Sequence, residues 1–368
     1  MTVPFVDLQK QYVSIKSEID SALLSVFSAG QFIKGSSVST FESSFKKLIG
    51  ADYCIGTGNG TDSLFLSLKA LGIGSGDEVL TPAFSWISSA EVISLTGAKP
   101  VFIDIEPLTF TMNPDLVEDK ITKNTKAIIL VHLFGSPANT NHVLSICKKY
   151  NLSLIEDCAQ SHLSEENGKV AGTIGHVSAF SFYPTKNLGA YGDAGCLVTN
   201  DKVLAEVIRR LANHGALQKD DHRMEGLNSR MDELQAAILN VKINHLKTWN
   251  DLRIQHANSY DKLLDGVSEI TTPARRPGTR HTFHAYVIRA KKRDELKKYL
   301  VEKGVETVIH YPKALTSLPV YQEMGFREKD FPIASRAQDE VLSLPIYPEI
   351  SSGQIEYVCE MIKKFYKI

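Results

Sequence analysis

The residues best suited to chemistry lie in Ser181-Phe-Tyr-Pro-Thr-Lys186-Asn-Leu-Gly189-Ala-Tyr-Gly192-Asp-Ala-Gly195. An apolar strand runs into a lysine and then into a glycine-rich loop. Glycines permit tight turns and close approach of backbone to a ligand. A lysine held there, away from bulk water, loses its proton more readily and can attack a carbonyl to form a Schiff base. Taken alone, Lys186 would read as a solvated surface residue beside a turn. Upstream, Leu154-Ile-Glu156-Asp157-Cys-Ala-Gln160-Ser-His162 places Asp157 just past an apolar strand. Parallel α/β sheets bind ligands at that point. A carboxylate there can keep a pyridine nitrogen protonated, although Asp is also a favoured helix N-cap.

Two further segments add to these. Gly56-Thr-Gly58-Asn-Gly60-Thr61-Asp62-Ser precedes an amphipathic helix. Small residues at a helix start present free N–H groups to an anion, and the helix dipole assists. No Gly-Lys-Ser/Thr follows, so this is not a Walker A loop, nor is it a good dinucleotide fingerprint. In Pro82-Ala-Phe84-Ser-Trp86 an aromatic follows a strand ending near Thr81. It can stack on a flat ring or fill a core. Together these make a phosphate cup, an aromatic plate, a carboxylate and a Schiff-base lysine, each at a strand–loop junction. Pyridoxal phosphate needs those four things.

The elements that must position them follow a regular pattern. Strand candidates are Tyr53–Ile55, Glu78–Leu80, Lys99–Asp104, Ala127–His132, Ser153–Glu156, Val177–Phe182 and Cys196–Thr199. Near-continuous apolar runs suit strands buried on both faces. Helical patterns lie between most of them, at Thr61–Leu71, Ser85–Leu95 and His142–Tyr150. Alternating βα units predict an α/β fold with a mainly parallel sheet covered by helices on both sides. A helix over Arg230–Leu246, capped by Asn228 or Ser229, leads toward a long connecting helix ending near Leu263. Beyond it the pattern changes. His284–Arg289 and Val305–Ile309 read as strands, Arg293–Lys303 as a helix, and Gln338–Leu344 and Gln354–Lys367 as helical or mixed. The division expected is a large domain over 1–245 and a smaller α+β domain over 246–368.

The chain's 368 residues suit two such units. A formal net charge of −1 gives no global pull toward nucleic acid or an anionic membrane. Cys54, Cys147, Cys158, Cys196 and Cys359 are scattered and never spaced as CxxC. A zinc ribbon or disulfide framework is not expected, and a reducing, cytoplasmic setting fits. The opening MTVPFVDLQKQY has no signal-peptide pattern, and no apolar run reaches the roughly 20 residues that span a bilayer. The histidines lack metal-ligand spacing, so no metal is expected.

At these motifs the sequence resembles the DegT-type (DegT/StrS) family of sugar aminotransferases, within the fold-type-I pyridoxal-phosphate enzymes. The resemblance covers essentially the whole chain. It is carried by Phe5-Val-Asp-Leu-Gln, Gly58-Asn-Gly-Thr-Asp62, Gly76-Asp-Glu-Val, Glu156-Asp-Cys-Ala-Gln160-Ser, Ser181 through Gly195, Asn228-Ser-Arg-Met-Asp-Glu-Leu-Gln-Ala-Ala237 and His310-Tyr-Pro312. It implies a large domain with a mostly parallel seven-stranded sheet. It also implies that Lys186 carries the cofactor and shuttles protons, and that Asp157 pairs with the pyridinium nitrogen. Trp86 would stack on the ring, and Gln160 would lie near the ring hydroxyl. Gly60, Thr61 and Ser181 would bind the phosphate. Asn228 would reach that phosphate from the second subunit of a homodimer, so a monomer should be inactive. One departure is Gly192-Asp-Ala194-Gly195, where the family often has Gly-Asp-Gly-Gly.

Some relatives carry histidine in place of the lysine and catalyse dehydration; Lys186 favours transamination. Finer resemblance implies a dTDP-linked 3-keto-6-deoxyhexose as substrate, with glutamate as amino donor. It also makes His162, Tyr183, His310 and Tyr311 candidate sugar contacts. His310 and Tyr311 can equally pack the smaller domain, and His281 and His284 read as structural. The alternatives are a C4 or UDP-linked keto-sugar, an aminocyclitol precursor, or a non-catalytic regulator on the same fold.

Overall fold

The apolar runs become one central sheet. A computed structural model describes residues 1–368. Strands β1 (Tyr53–Thr57), β2 (Glu78–Pro82), β3 (Lys99–Ile103), β4 (Thr125–Val131), β5 (Ser153–Asp157), β6 (Val177–Ser181) and β7 (Gly195–Thr199) pair in the order β1-β7-β6-β5-β4-β2-β3. β7 runs antiparallel to β1 and β6, and the other pairs are parallel. Successive side chains of a strand point to opposite faces. Ile128 and Leu130 of β4 pack with Val143 and Ile146 of the helix Thr140–Tyr150. Ile129 and Val131 pack on the other side, with Leu64 and Leu68 of the helix Gly60–Ala70. Both faces are dry, which is why the runs are continuous rather than alternating. At the β1–β7 side, Phe41, Phe45, Phe180 and Phe182 form an aromatic cluster with ring centroids 5.0 to 5.6 Å apart.

All seven expected strands are present; several helices differ from expectation. Three helices, Leu8–Ser14, Lys16–Ala29 and Ser36–Ile49, precede the sheet and were not marked in the sequence. The expected helix over Arg230–Leu246 is Glu233–Lys242, followed by a separate helix Leu246–Leu264. Its expected caps serve elsewhere. Asn228 bridges Asn213, and the Ser229 hydroxyl accepts from the Gly58 N–H and donates to Asp62. Glu233 starts the helix because its carboxylate accepts from the N–H groups of Gly35, Ser37 and Val38. These tertiary bonds override the local helical pattern.

The C-terminal part holds a second sheet of Ile270–Thr271, Tyr286–Ala290 and Val341–Leu344. Helices Arg293–Glu302 and Ser352–Tyr366 accompany it. Gln338–Leu344 is split: a helix ends at Glu340 and the strand begins at Val341. Val305–Ile309 is not a regular strand. It makes single bridges, Val305 to Val3 and Val308 to Ser343, because different partners meet its two ends. Val3 thereby joins the core built by Tyr260, Tyr286 and Leu342.

Glu156 anchors the strand that carries Asp157. Its carboxylate accepts from the N–H groups of Gly172, Ile174 and Gly175 at 2.9, 2.9 and 2.6 Å. It also pairs with His132 Nε2 at 2.9 Å. His132 Nδ1 accepts from the Ala138 N–H, so the proton sits on Nε2 and is donated to Glu156. Cys158 completes a trio with these two, but the polar atoms of the imidazole and carboxylate are already matched within the protein. Burial pushes the Glu156 carboxyl up, yet the His132 and backbone bonds outweigh it and hold the group below its ordinary value. Glu156→Leu is expected to cost about 3–5 kcal/mol, because it leaves buried donors unpaired; urea unfolding measures this. With its pKa lowered in the folded state, the stabilisation is present above the unfolded value of about 4.3. It is lost as the pH falls through the lower folded value.

Candidate active site

The C-terminal ends of β1, β2, β4, β5 and β6 and the smaller sheet's loops line a cavity of about 690 Å³, within the usual range for small-molecule sites. Its walls include Gly60, Thr61, Trp86, Asp157, Gln160, Ser181, Tyr183, Lys186, His310 and Tyr311. These ten expected residues come from segments spread along most of the chain.

Lys186 sits on a loop that closes on itself. Its N–H donates to the Tyr183 carbonyl at 2.8 Å, the Ala190 N–H to the Phe182 carbonyl, and the Phe182 N–H to the Ala194 carbonyl. A Cβ on Gly189 would stand 2.3 Å from the Pro184 carbonyl oxygen, so no side chain fits there. Ala194 keeps a negative φ, so alanine is accommodated without strain. Burial pulls the Lys186 amine down to about 8, and Asp157 opposes this. In cofactor-free protein, the acylation rate of Lys186 should therefore rise about tenfold per pH unit below 8 and level off above it. An ordinary lysine would keep rising toward about 10. Site-resolved mass spectrometry after a short pulse of an acylating reagent checks this.

Asp157 is the last residue of β5, between the ends of β4 and β6. Its Oδ1 accepts from the Ala159 N–H at 3.1 Å. Burial pushes its carboxyl up, opposed by that N–H, by Lys186 and by His132. A carboxylate in this position gains most from a cationic partner delivered by a ligand.

Gly60 and Thr61 open the helix after β1, capped by the Asn59 side chain on the Asp62 N–H. A Cβ on Gly60 would lie 2.7 Å from Ser181 Cβ. The helix N-terminus and the Ser181 hydroxyl therefore converge on one small cup suited to a phosphate. Trp86 is 59% exposed, its ring 5.8 Å from that of Tyr311. Gln160 Oε1 accepts from the Phe134 N–H and Nε2 donates to the Tyr311 hydroxyl, which fixes the amide's orientation.

Two expected residues are not in the cavity wall. His162 is buried against Phe180 and Phe182, and neither ring nitrogen has a partner. The ring therefore packs behind Phe180 and Phe182 and is not part of the cavity wall. Asn228 is exposed and bridges Asn213. Conversely, His284 lines the cavity although its sequence context reads as structural. No local signal marks it: it starts the smaller sheet's strand region, and only the packing of that unit brings it to Lys186. His281 does read correctly, stacked on Phe283 and accepting its N–H.

A lowered lysine, a buried carboxylate and a phosphate cup at the C-terminal ends of parallel strands fit pyridoxal phosphate. With this sheet order they place the protein among the fold-type-I pyridoxal-phosphate enzymes. The chain belongs to the DegT/DnrJ/EryC1/StrS aminotransferase family, whose model matches residues 13–363. A pleiotropic regulatory protein of Geobacillus stearothermophilus is 45% identical over 369 residues, covering 100% of this chain and 99% of that protein. The dTDP-3-amino-3,6-dideoxy-alpha-D-galactopyranose transaminase of Aneurinibacillus thermoaerophilus is 40% identical over 99% of each chain. The structure of S. venezuelae DesV in complex with a ketimine intermediate matches with a TM-score of 0.98 at 38% identity, over 100% of this chain and 99% of that one.

Proposed function

We propose that this chain aminates C3 of a dTDP-linked 3-keto-6-deoxyhexose, using pyridoxal phosphate and glutamate, as a cytoplasmic homodimer. The observation that carries the reading is Lys186, its amine lowered to about 8, sharing one cavity wall with Asp157. When bound, the cofactor supplies an electron sink for the carbanion chemistry. Gly60, Thr61 and Ser181 would hold its phosphate, Asp157 its ring nitrogen, and Trp86 and Gln160 would bound its ring. Lys186 Nζ takes a proton from the α-carbon of glutamate in the first half of the reaction. It delivers one to C3 of the sugar in the second. Glutamate leaves as 2-oxoglutarate, its amino group replaces the ketone oxygen of the sugar, and the water taken up in the first half is released in the second.

Tyr183, 52% exposed at the mouth, His310 and Tyr311 form the sugar end. His310 is anchored by Nδ1 on the Ser343 hydroxyl at 2.8 Å, and burial brings its pKa down to about 4. The choice of a dTDP-linked, C3-aminated sugar is supported by the Aneurinibacillus relative. The homodimer is supported by exposed Phe27, Phe32, Ile33, Leu217 and Leu227, apolar residues suited to a partner, of which Phe27 and Phe32 are in ring contact and Ile33 bridges Asp232. Asn228 then serves the partner's phosphate cup. No helix is long and apolar enough to cross a membrane. We divide the chain at 245/246, where the long helix from Leu246 begins.

The test is an absorbance spectrum before and after glutamate, followed by mass analysis of products from 3-keto and 4-keto dTDP-sugars. A yellow band bleached by glutamate and a 3-amino product support the reading. No band after cofactor addition would favour the regulator named among the relatives, and amination at C4 would move the substrate assignment.

A further inference from the structure

We infer that His284 is a specificity-determining contact whose Nε2 accepts a hydrogen bond from a sugar hydroxyl adjacent to the carbon that reacts at Lys186. This rests on the sugar-substrate reading above. A buried amide relay sets the tautomer. Asn187 Nδ2 donates to Asn250 Oδ1 at 2.7 Å and to the Thr282 carbonyl at 3.1 Å. Asn250 Nδ2 donates in turn to the His162 carbonyl at 2.9 Å, which fixes its own Oδ1 as an acceptor. Both Asn187 donors are thus engaged, and its Oδ1 faces His284 Nδ1 at 3.3 Å. An amide oxygen cannot donate, so Nδ1 carries the proton and Nε2 the lone pair.

The ring is also held in place and kept neutral. Arg253 donates to the carbonyls of Phe283 and His284 at 3.2 and 3.5 Å. Burial, then Lys186, Arg253, His310 and His162, keep the His284 pKa well below its ordinary value. His284 lines the cavity, and Nδ1 is the ring nitrogen its protein partner takes. Nε2 is left as a neutral acceptor. Diphosphate and carboxylate oxygens bring no proton to it at neutral pH, and the ammonium of glutamate is consumed in the transfer itself. A sugar hydroxyl does bring one, and the ketone that reaches Lys186 has ring carbons on both sides that bear hydroxyls.

Titration calorimetry of the cofactor-loaded protein tests this with dTDP-6-deoxyglucose, which has no ketone and cannot react, and with its 2-deoxy and 4-deoxy counterparts. The wild type should bind one of the two deoxy ligands about 10- to 100-fold more weakly than the parent. His284→Phe should lose the same factor toward the parent and nothing more toward that deoxy ligand. His284→Gln, which keeps an acceptor, should recover part of the loss. Equal weakening of all three ligands by His284→Phe, or no weakening, overturns the inference. Should that variant not fold, the wild-type series and ¹⁵N-histidine NMR decide. The Nε2 resonance must move with the parent and stay with the matching deoxy ligand; a resonance that stays with both overturns it. If the wild type binds no dTDP-sugar at all, the sugar reading falls and this inference with it.

Discussion

Replacing Lys186 by alanine is expected to reduce turnover by about 10,000-fold or more. No other amine lines the cavity, so none is placed to take the proton from the donor's α-carbon or to deliver one to the acceptor carbon. The loss should appear in both half-reactions, since the same Nζ serves each. The cofactor would then be held by the phosphate cup and ring contacts without a covalent link, and it should dialyse away more readily. A melting temperature within a few degrees of wild type would show that the fold survives, since Lys186 is partly accessible from the cavity and bonds its loop through backbone. Stopped-flow absorbance with glutamate is the measurement. Normal bleaching by the variant would remove Lys186 from the mechanism.

The second large effect is expected from Asp157→Asn. The amide keeps the shape and can still accept from the Ala159 N–H, but it carries no charge. A cationic ring nitrogen would lose its partner in a site of low dielectric. A fall in kcat of about 100- to 1,000-fold follows from losing one such electrostatic contact, with a smaller change in KM for glutamate. A further consequence separates charge from shape. The Asp157 carboxylate raises the Lys186 pKa, so its neutralisation should move the midpoint of the acylation profile to lower pH. A variant with unchanged kcat, or a midpoint moving upward, would contradict the assigned role.

Much of this was open to reading along the chain. β1 to β7 were legible because each is a short apolar run between turn residues, and burial on both faces keeps such runs continuous. The cup at Gly60, the strand end at Asp157 and the loop at Lys186 were legible because each couples a strand end to a distinctive local composition. The helix over Arg230–Leu246 was misread for the opposite reason. Its periodicity is real, but the Asn228–Asn213 bridge and the bonds from Glu233 to the 35–38 backbone come from distant segments.

His162 and His284 show where the sequence stops deciding. One follows directly on the Asp157 motif and the other lies in a segment with no chemical motif, yet the first is walled off by Phe180 and Phe182 and the second faces the cavity. By itself the sequence determined the strands of the central sheet and set Lys186 and Asp157 at strand–loop junctions, because local periodicity and residue type are sufficient for that; the roles expected of those two residues came from the company they keep and from the family resemblance. Tertiary structure alone decided which histidines meet the cavity, which tautomer His284 adopts and how far burial lowers the Lys186 amine. Those depend on desolvation and on partners from separate elements, from Phe180 beside His162 to Asn187, 97 positions from His284, and no local pattern encodes them.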